Sequence, residues 1–230
     1  MHHERRSVEP AAILIFADSQ QRDLRRRALP ASASPLLALP RLHRAGLPAD
    51  VHWFTDRPTR IDAAVTVHSQ RGRGFGQRLE NAVADLAAMG YRHVVIVGRD
   101  CPELSPADVM TALDHLRSGK RLVVGPDQRG GCWLIALNAS DRGLLSGIRW
   151  RQDTDAAQLL ARAGSAAAAV LAPHFDLDCL DDLRRAARRW APAAALMRWL
   201  SVVHARQVAR THPAFAQLRV SVQLPPPLAD

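Results

Sequence analysis

Val94-Val95-Ile96-Val97-Gly98-Arg99-Asp100-Cys101-Pro102 is the stretch on which the fold turns. Four β-branched residues in succession read as a strand buried on both faces, as inside a parallel sheet. The run stops at a glycine, a carboxylate and a proline. Open α/β sheets hold their ligands at the carboxyl ends of strands. A carboxylate there suits a hard divalent cation that phosphate oxygens also hold. The competing reading of Asp100 is a helix N-cap. A second acidic run, Phe175-Asp176-Leu177-Asp178-Cys179-Leu180-Asp181-Asp182-Leu183, lies far downstream. Together the two runs point to a metal–diphosphate site.

Outward from this strand, apolar strands alternate with helical patterns. Ala11–Ala17, Asp50–Thr55, Ala63–His68, Leu122–Pro126, Cys132–Leu137 and Ala166–Ala172 read as strands. Asp18–Arg27 is polar and Arg-rich, and Pro35–Gly46 reads as a helix. Ser69–Gly76 is a glycine-rich loop, and the helix behind it carries Leu79, Val83, Leu86 and Ala87 on one stripe. Ser105-Pro106 marks an N-cap followed by proline at the first helical position. Thr154–Ala163 and Asp181–Trp190 are further helices. Such alternation predicts an α/β fold with a mostly parallel sheet.

The chain has 230 residues and a formal net charge of +9. That charge is unevenly placed. Residues 1–182 hold 23 basic and 21 acidic residues, whereas Leu183–Ala229 holds eight arginines and no acid. The tail has no recognisable nucleic-acid reader motif, so specific nucleic-acid binding is not expected. Leu196, Trp199, Leu200 and Val203 keep helical spacing there, which predicts a basic amphipathic extension over 191–230. Its apolar stripe would dock on the body, form a homodimer contact or meet an anionic surface. No apolar run approaches the ~20 residues of a membrane span, and no secretory pattern is present, so a cytoplasmic protein is expected. The three cysteines, Cys101, Cys132 and Cys179, form no CxxC pair. No histidine pair has HxxxH spacing, and there is no nucleophile elbow and no P-loop.

Four short runs carry a family resemblance. Gln70, Gly72, Gly76 and Arg78 form the first; Gly98, Asp100, Cys101, Pro102 and Leu104 the second. Gly125, Pro126, Gly130, Gly131, Leu134, Ile135 and Leu137 form the third; Asp176, Asp178, Asp182 and Leu183 the fourth. In this order the chain resembles the bacterial GT-A-like, DUF2064-like transferases, an uncharacterised type noted beside radical-SAM genes and distantly related to sugar nucleotidyltransferases. The resemblance covers about residues 11–190. It implies a three-layer α/β/α fold of the nucleotide-diphospho-sugar transferase kind.

The resemblance also implies a chemistry: glycosyl or nucleotidyl transfer from a nucleotide or nucleotide-sugar, with Mg²⁺ or Mn²⁺ as cofactor. Asp100 would be the catalytic carboxylate and, with Asp178, a metal ligand. Ala17, Arg22, Gln70, Gly72, Gly76 and Arg78 would line the nucleotide side, and Arg129, Gly130 and Gly131 the substrate side. Asp176 is a ligand or stands behind one, and Asp181 and Asp182 serve the following helix. Two departures stand out. The loop after the first strand, Asp18–Arg27, has no glycine to let backbone amides approach phosphate. Arg129 stands where relatives carry an acid. These departures keep open a second reading, a GT-A relative that has lost catalysis and acts as a binding or scaffold protein.

Overall fold

The structure is a computed structural model, and it describes residues 9–26, 42, 45–58, 64–188, 194, 197 and 198. Most of the helix expected at 35–46, and nearly all of the extension expected at 191–230, lie outside these residues. The chain divides into two compact units, residues 1–23 with 37–176 and residues 24–36 with 177–230.

The first unit holds one seven-stranded sheet. Its strands are β1 (Ala11–Phe16), β2 (Asp50–Thr55), β3 (Val65–Ser69), β4 (His93–Val97), β5 (Leu122–Pro126), β6 (Cys132–Asn138) and β7 (Ala168–Val170). The order is β3-β2-β1-β4-β6-β5-β7. All neighbours run parallel except β6, which is antiparallel to both β4 and β5. The carboxyl ends of the six parallel strands therefore share one edge of the sheet, and the β5–β6 turn lies at that edge too.

Alternate residues of each strand feed two cores, because successive strand side chains point to opposite faces. Leu14, Phe16, Val94 and Ile96 meet Leu79, Ala82, Val83 and Leu86 of α2 (Gly74–Ala88) and Leu159 of α4 (Asp155–Ala163). Ile13, Ile15, Val95 and Val97 meet Val109, Ala112 and Leu113 of α3 (Pro106–Arg117). Three layers result, as expected. The central strands are buried throughout, since β1 and β4 show water no residue at all.

The differences from expectation are local. Gln20–Arg26 forms a short helix, α1, where the sequence shows no apolar stripe. Ala139–Leu145 winds as a 3₁₀ segment. β7 is three residues long rather than seven, being mostly alanine and serving only β5. In the second unit, α5 (Leu180–Ala186) begins with a capping box, in which Asp182 accepts from the Asp178 and Cys179 amides at 3.0 and 3.1 Å. That is the helix-serving role expected of Asp182.

A polar chain, buried only at His52, links Tyr91 to β2 and β3. The Tyr91 hydroxyl donates to Asp50 at 2.7 Å, so its oxygen accepts from His52 Nε2 at 3.0 Å. His52 Nδ1 must then accept from His68 Nε2, also at 3.0 Å. Burial, helped by His68, lowers the His52 pKa from 6.5 to about 4, against the pull of Asp50. A depressed imidazole pKa means that the unfolded chain binds the proton first. Stability should be greatest above pH 6.5 and should fall as the pH drops from 6.5 toward 4. Denaturation midpoints measured across that range should decline in the wild type and decline less in His52→Phe. Parallel curves would show that His52 does not set the acid response.

Candidate functional site

The site residues expected in the first unit all lie along the carboxyl edge of the sheet. Ala17 follows β1, Gln70 follows β3, Asp100 follows β4, and Arg129-Gly130-Gly131 forms the β5–β6 turn. Gly72 lies just before α2, and Gly76 and Arg78 lie in its first turns. Asp178 belongs to the second unit.

On the β1–β3 side the charges form a linked lattice. Arg78 donates to Gln70 Oε1 at 2.9 Å and to the Gly74 carbonyl at 3.0 Å, and its guanidinium lies 3.6 Å from Asp18. Gln70 in turn donates to the Phe54 carbonyl at 3.0 Å. Arg22 reaches Asp18 at 3.5 Å and Asp56 at 3.3 Å. Asp56 also accepts the Ser19 amide at 2.5 Å. Burial opposes ionisation of Asp56, but the Ser19 amide and Arg22 outweigh it and hold its carboxyl below the usual range. The expected nucleotide-side residues are thus brought together. Their two arginines are committed to carboxylates, Asp18 and Asp56, whose part the sequence did not disclose.

Asp23 and Arg99 were also missed. Arg99 Nε donates to Asp23 at 3.0 Å, and the side chains are 4% and 3% exposed. No periodicity marks such a pair, which joins residues 76 positions apart.

On the β4–β5 side the charge is acidic. The Asp100 carboxylate folds back over Gly98, where a Cβ would collide with it. α3 is capped by Ser105, with a full capping box to Asp108, so the N-cap reading of Asp100 is excluded. Asp127 Oδ1 gathers the amides of Arg129, Gly130 and Gly131 at 2.6, 2.8 and 2.9 Å. Arg129 is exposed at the tip of this turn. Asp155 is buried, which raises its pKa against the Arg151 and Gln152 amides that stabilise its charge. Burial raises the pKa of Cys101 and of Cys132; Asp176 adds to both, Asp100 to the first, and Asp155 and Asp127 to the second. Both thiols stay protonated near neutrality, which is unsuited to thiolate metal ligation. Among the described residues no three His, Cys, Asp or Glu side chains are grouped to hold a metal ion. A cation beside Asp100 would have to take most of its ligands from phosphate, as Mg²⁺ and Mn²⁺ sites do.

Residues 41–152 match a family described as an uncharacterized protein conserved in bacteria (DUF2064). Over those residues the chain is similar to that family. Three of the four motif runs fall inside that match, and the Asp176–Leu183 run falls beyond it. No curated protein matches significantly. The chain is similar to a crystal structure provisionally described as a nucleotide-diphospho-sugar transferase from Desulfovibrio desulfuricans G20. The TM-score is 0.66 at 22% identity, covering 85% of this chain and 96% of that one. It is also similar to a cytidylyltransferase from Leptospira borgpetersenii serovar Hardjo-bovis (strain JB197), with TM-score 0.53 and 15% identity over 94% of this chain and 100% of that one. These likenesses show the nucleotide-diphospho-sugar transferase fold. Among the described residues no helix is long and apolar enough to cross a membrane.

Proposed function

We propose that this chain is a divalent-metal-dependent transferase that uses a nucleotide-activated donor, in glycosyl or nucleotidyl transfer. One observation carries the reading: Gln70 and Arg78, the lattice around Arg22, and Asp100 lie along the same carboxyl edge of a mostly parallel sheet. That is where open α/β folds take ligands. The neighbours' descriptions, a nucleotide-diphospho-sugar transferase and a cytidylyltransferase, support the same class.

Ala17, Arg22, Gln70, Gly72, Gly76 and Arg78 would receive the nucleotide, with the two guanidiniums turning from carboxylate to phosphate oxygens. Asp100 would hold Mg²⁺ or Mn²⁺, and Asp178 is assigned as second ligand on its motif alone. When bound, the cation would neutralise charge on the leaving diphosphate. Arg129, Gly130 and Gly131 would face the acceptor side, with Asp127 keeping the turn rigid. The exposed Arg129 adds a positive charge beside an otherwise acidic region and favours an anionic ligand.

The ion pairs on Arg22 and Arg78 favour a second reading, a relative that binds without catalysis. A phosphate must displace Asp18 and Asp56 to use those arginines. Thermal-shift measurement over nucleoside triphosphates and nucleotide sugars, with and without Mn²⁺, separates the two. The transferase reading expects stabilisation by one nucleotide class that requires the metal. Stabilisation indifferent to metal supports the binding protein, and no stabilisation by any nucleotide removes both.

A further inference from the structure

We propose that the buried Arg99–Asp23 ion pair is a positioning device that ties the loop after β1 to the loop after β4. It thereby sets Asp100 relative to the arginines of the nucleotide side. The inference rests on the reading above, in which these two loops share a ligand.

The placement is specific. β1 and β4 are parallel neighbours, with Ile15 opposite Val97, so their carboxyl ends open side by side. Arg99 immediately precedes Asp100, and Asp23 immediately follows Arg22. Arg22 then engages Asp18 and Asp56, and Asp18 engages Arg78. Ion pairs therefore connect the Asp100 backbone to α2 in two steps, Arg99 to Asp23 and, one residue along the chain, Arg22 to Asp18 and Asp18 to Arg78. The step between them is the backbone of Arg22-Asp23, so a shift of one loop is transmitted as lost pairing in the other.

Stability alone does not account for the pair. Removing two charges from water offsets most of their mutual attraction, and apolar residues of similar size commonly serve a core equally well. What an ion pair adds is a fixed direction, because a guanidinium donates along set vectors. The loop after β1 has no glycine and so cannot be held by close backbone packing around phosphate. Asp23 supplies from a side chain the anchorage that the backbone lacks there. Arg99 and Asp23 touch no reacting atom in this scheme and act through Asp100 and Arg22.

The test uses the full chain carrying Asp23→Leu together with Arg99→Met, which removes both charges and keeps apolar bulk. Amide exchange followed by mass spectrometry reads residues 17–22 and 98–101, with α3 as internal control. Both loops should exchange faster by about tenfold while α3 stays protected, and Mn²⁺-dependent nucleotide affinity should fall by about tenfold, the usual scale of coupling through packed networks. Unchanged exchange in both loops, or a change in one alone, overturns the proposal. If the double variant does not fold, Arg99→Lys takes its place; it keeps the charge and loses the fork, and the same two outcomes decide. A wild-type protein that binds no nucleotide would sink the transferase reading, and the exchange comparison would still decide the ion pair.

Discussion

Asp100→Asn is expected to abolish the dependence of nucleotide binding on Mg²⁺ or Mn²⁺. The substitution is nearly isosteric and keeps the side chain folded over Gly98. It removes the charge that a hard cation requires of its protein ligand. Affinity measured by calorimetry with metal present should fall to the level that the wild type shows in EDTA. A difference of about tenfold or more is expected, since one lost charge-assisted ligand costs at least ~1.4 kcal/mol. α3 should keep its cap in the variant, because Ser105 and not Asp100 caps it. If nucleotide affinity is the same in both and insensitive to EDTA, Asp100 is not a metal ligand and the non-catalytic reading prevails.

Gly130→Ala should cost the most stability of any single methyl added at the site. Gly130 has φ +103°, a conformation that L-residues rarely adopt, and a Cβ would run into the Asp153 carbonyl oxygen. Its amide is held by Asp127, and its own carbonyl accepts from Ala156 at 3.1 Å, so the turn cannot rotate away without losing both. Strain and overpacking together suggest about 3 kcal/mol or more. Gly143→Ala, at a glycine with open space around its Cβ position, is the matched control and should change stability little. Equal denaturation midpoints for the two variants would show that the turn relaxes freely and is no rigid part of the site.

The layered fold was legible because its central strands are buried on both faces. Runs such as Ala12–Phe16 and Val94–Val97 cannot be read as amphipathic helices or as exposed strands. α1 was not legible, since Gln20–Arg26 has almost no apolar residue to show a period. Nor was the reversal of β6: Cys132–Leu137 reads the same in either direction, and only its partners decide. At the site, the glycine and glutamine positions followed from the motif runs. The counter-charges did not. Asp56 meets Arg22 across 34 residues and Asp23 meets Arg99 across 76, and local composition says nothing about such pairings. The loop that seemed merely poor in glycine is one whose side chains replace the missing backbone contacts.

The placement of β6 between β4 and β5 also constrains how the chain can assemble as it is made. β4 finds β1 already synthesised, but its other edge waits for Cys132–Asn138. β5 is made before either of its partners, β6 and β7. A nascent chain that has reached only the end of β5 therefore carries three unpaired, largely apolar strand edges, one on β4 and two on β5, the kind of surface that chaperones shield and that aggregates form on. Emergence of one short hairpin, closed by the Asp127–Gly131 turn, satisfies two of these edges at once, and the second edge of β5 waits for β7. Synthesis of residues 127–138 is thus the step at which β5 is joined to the strands made before it.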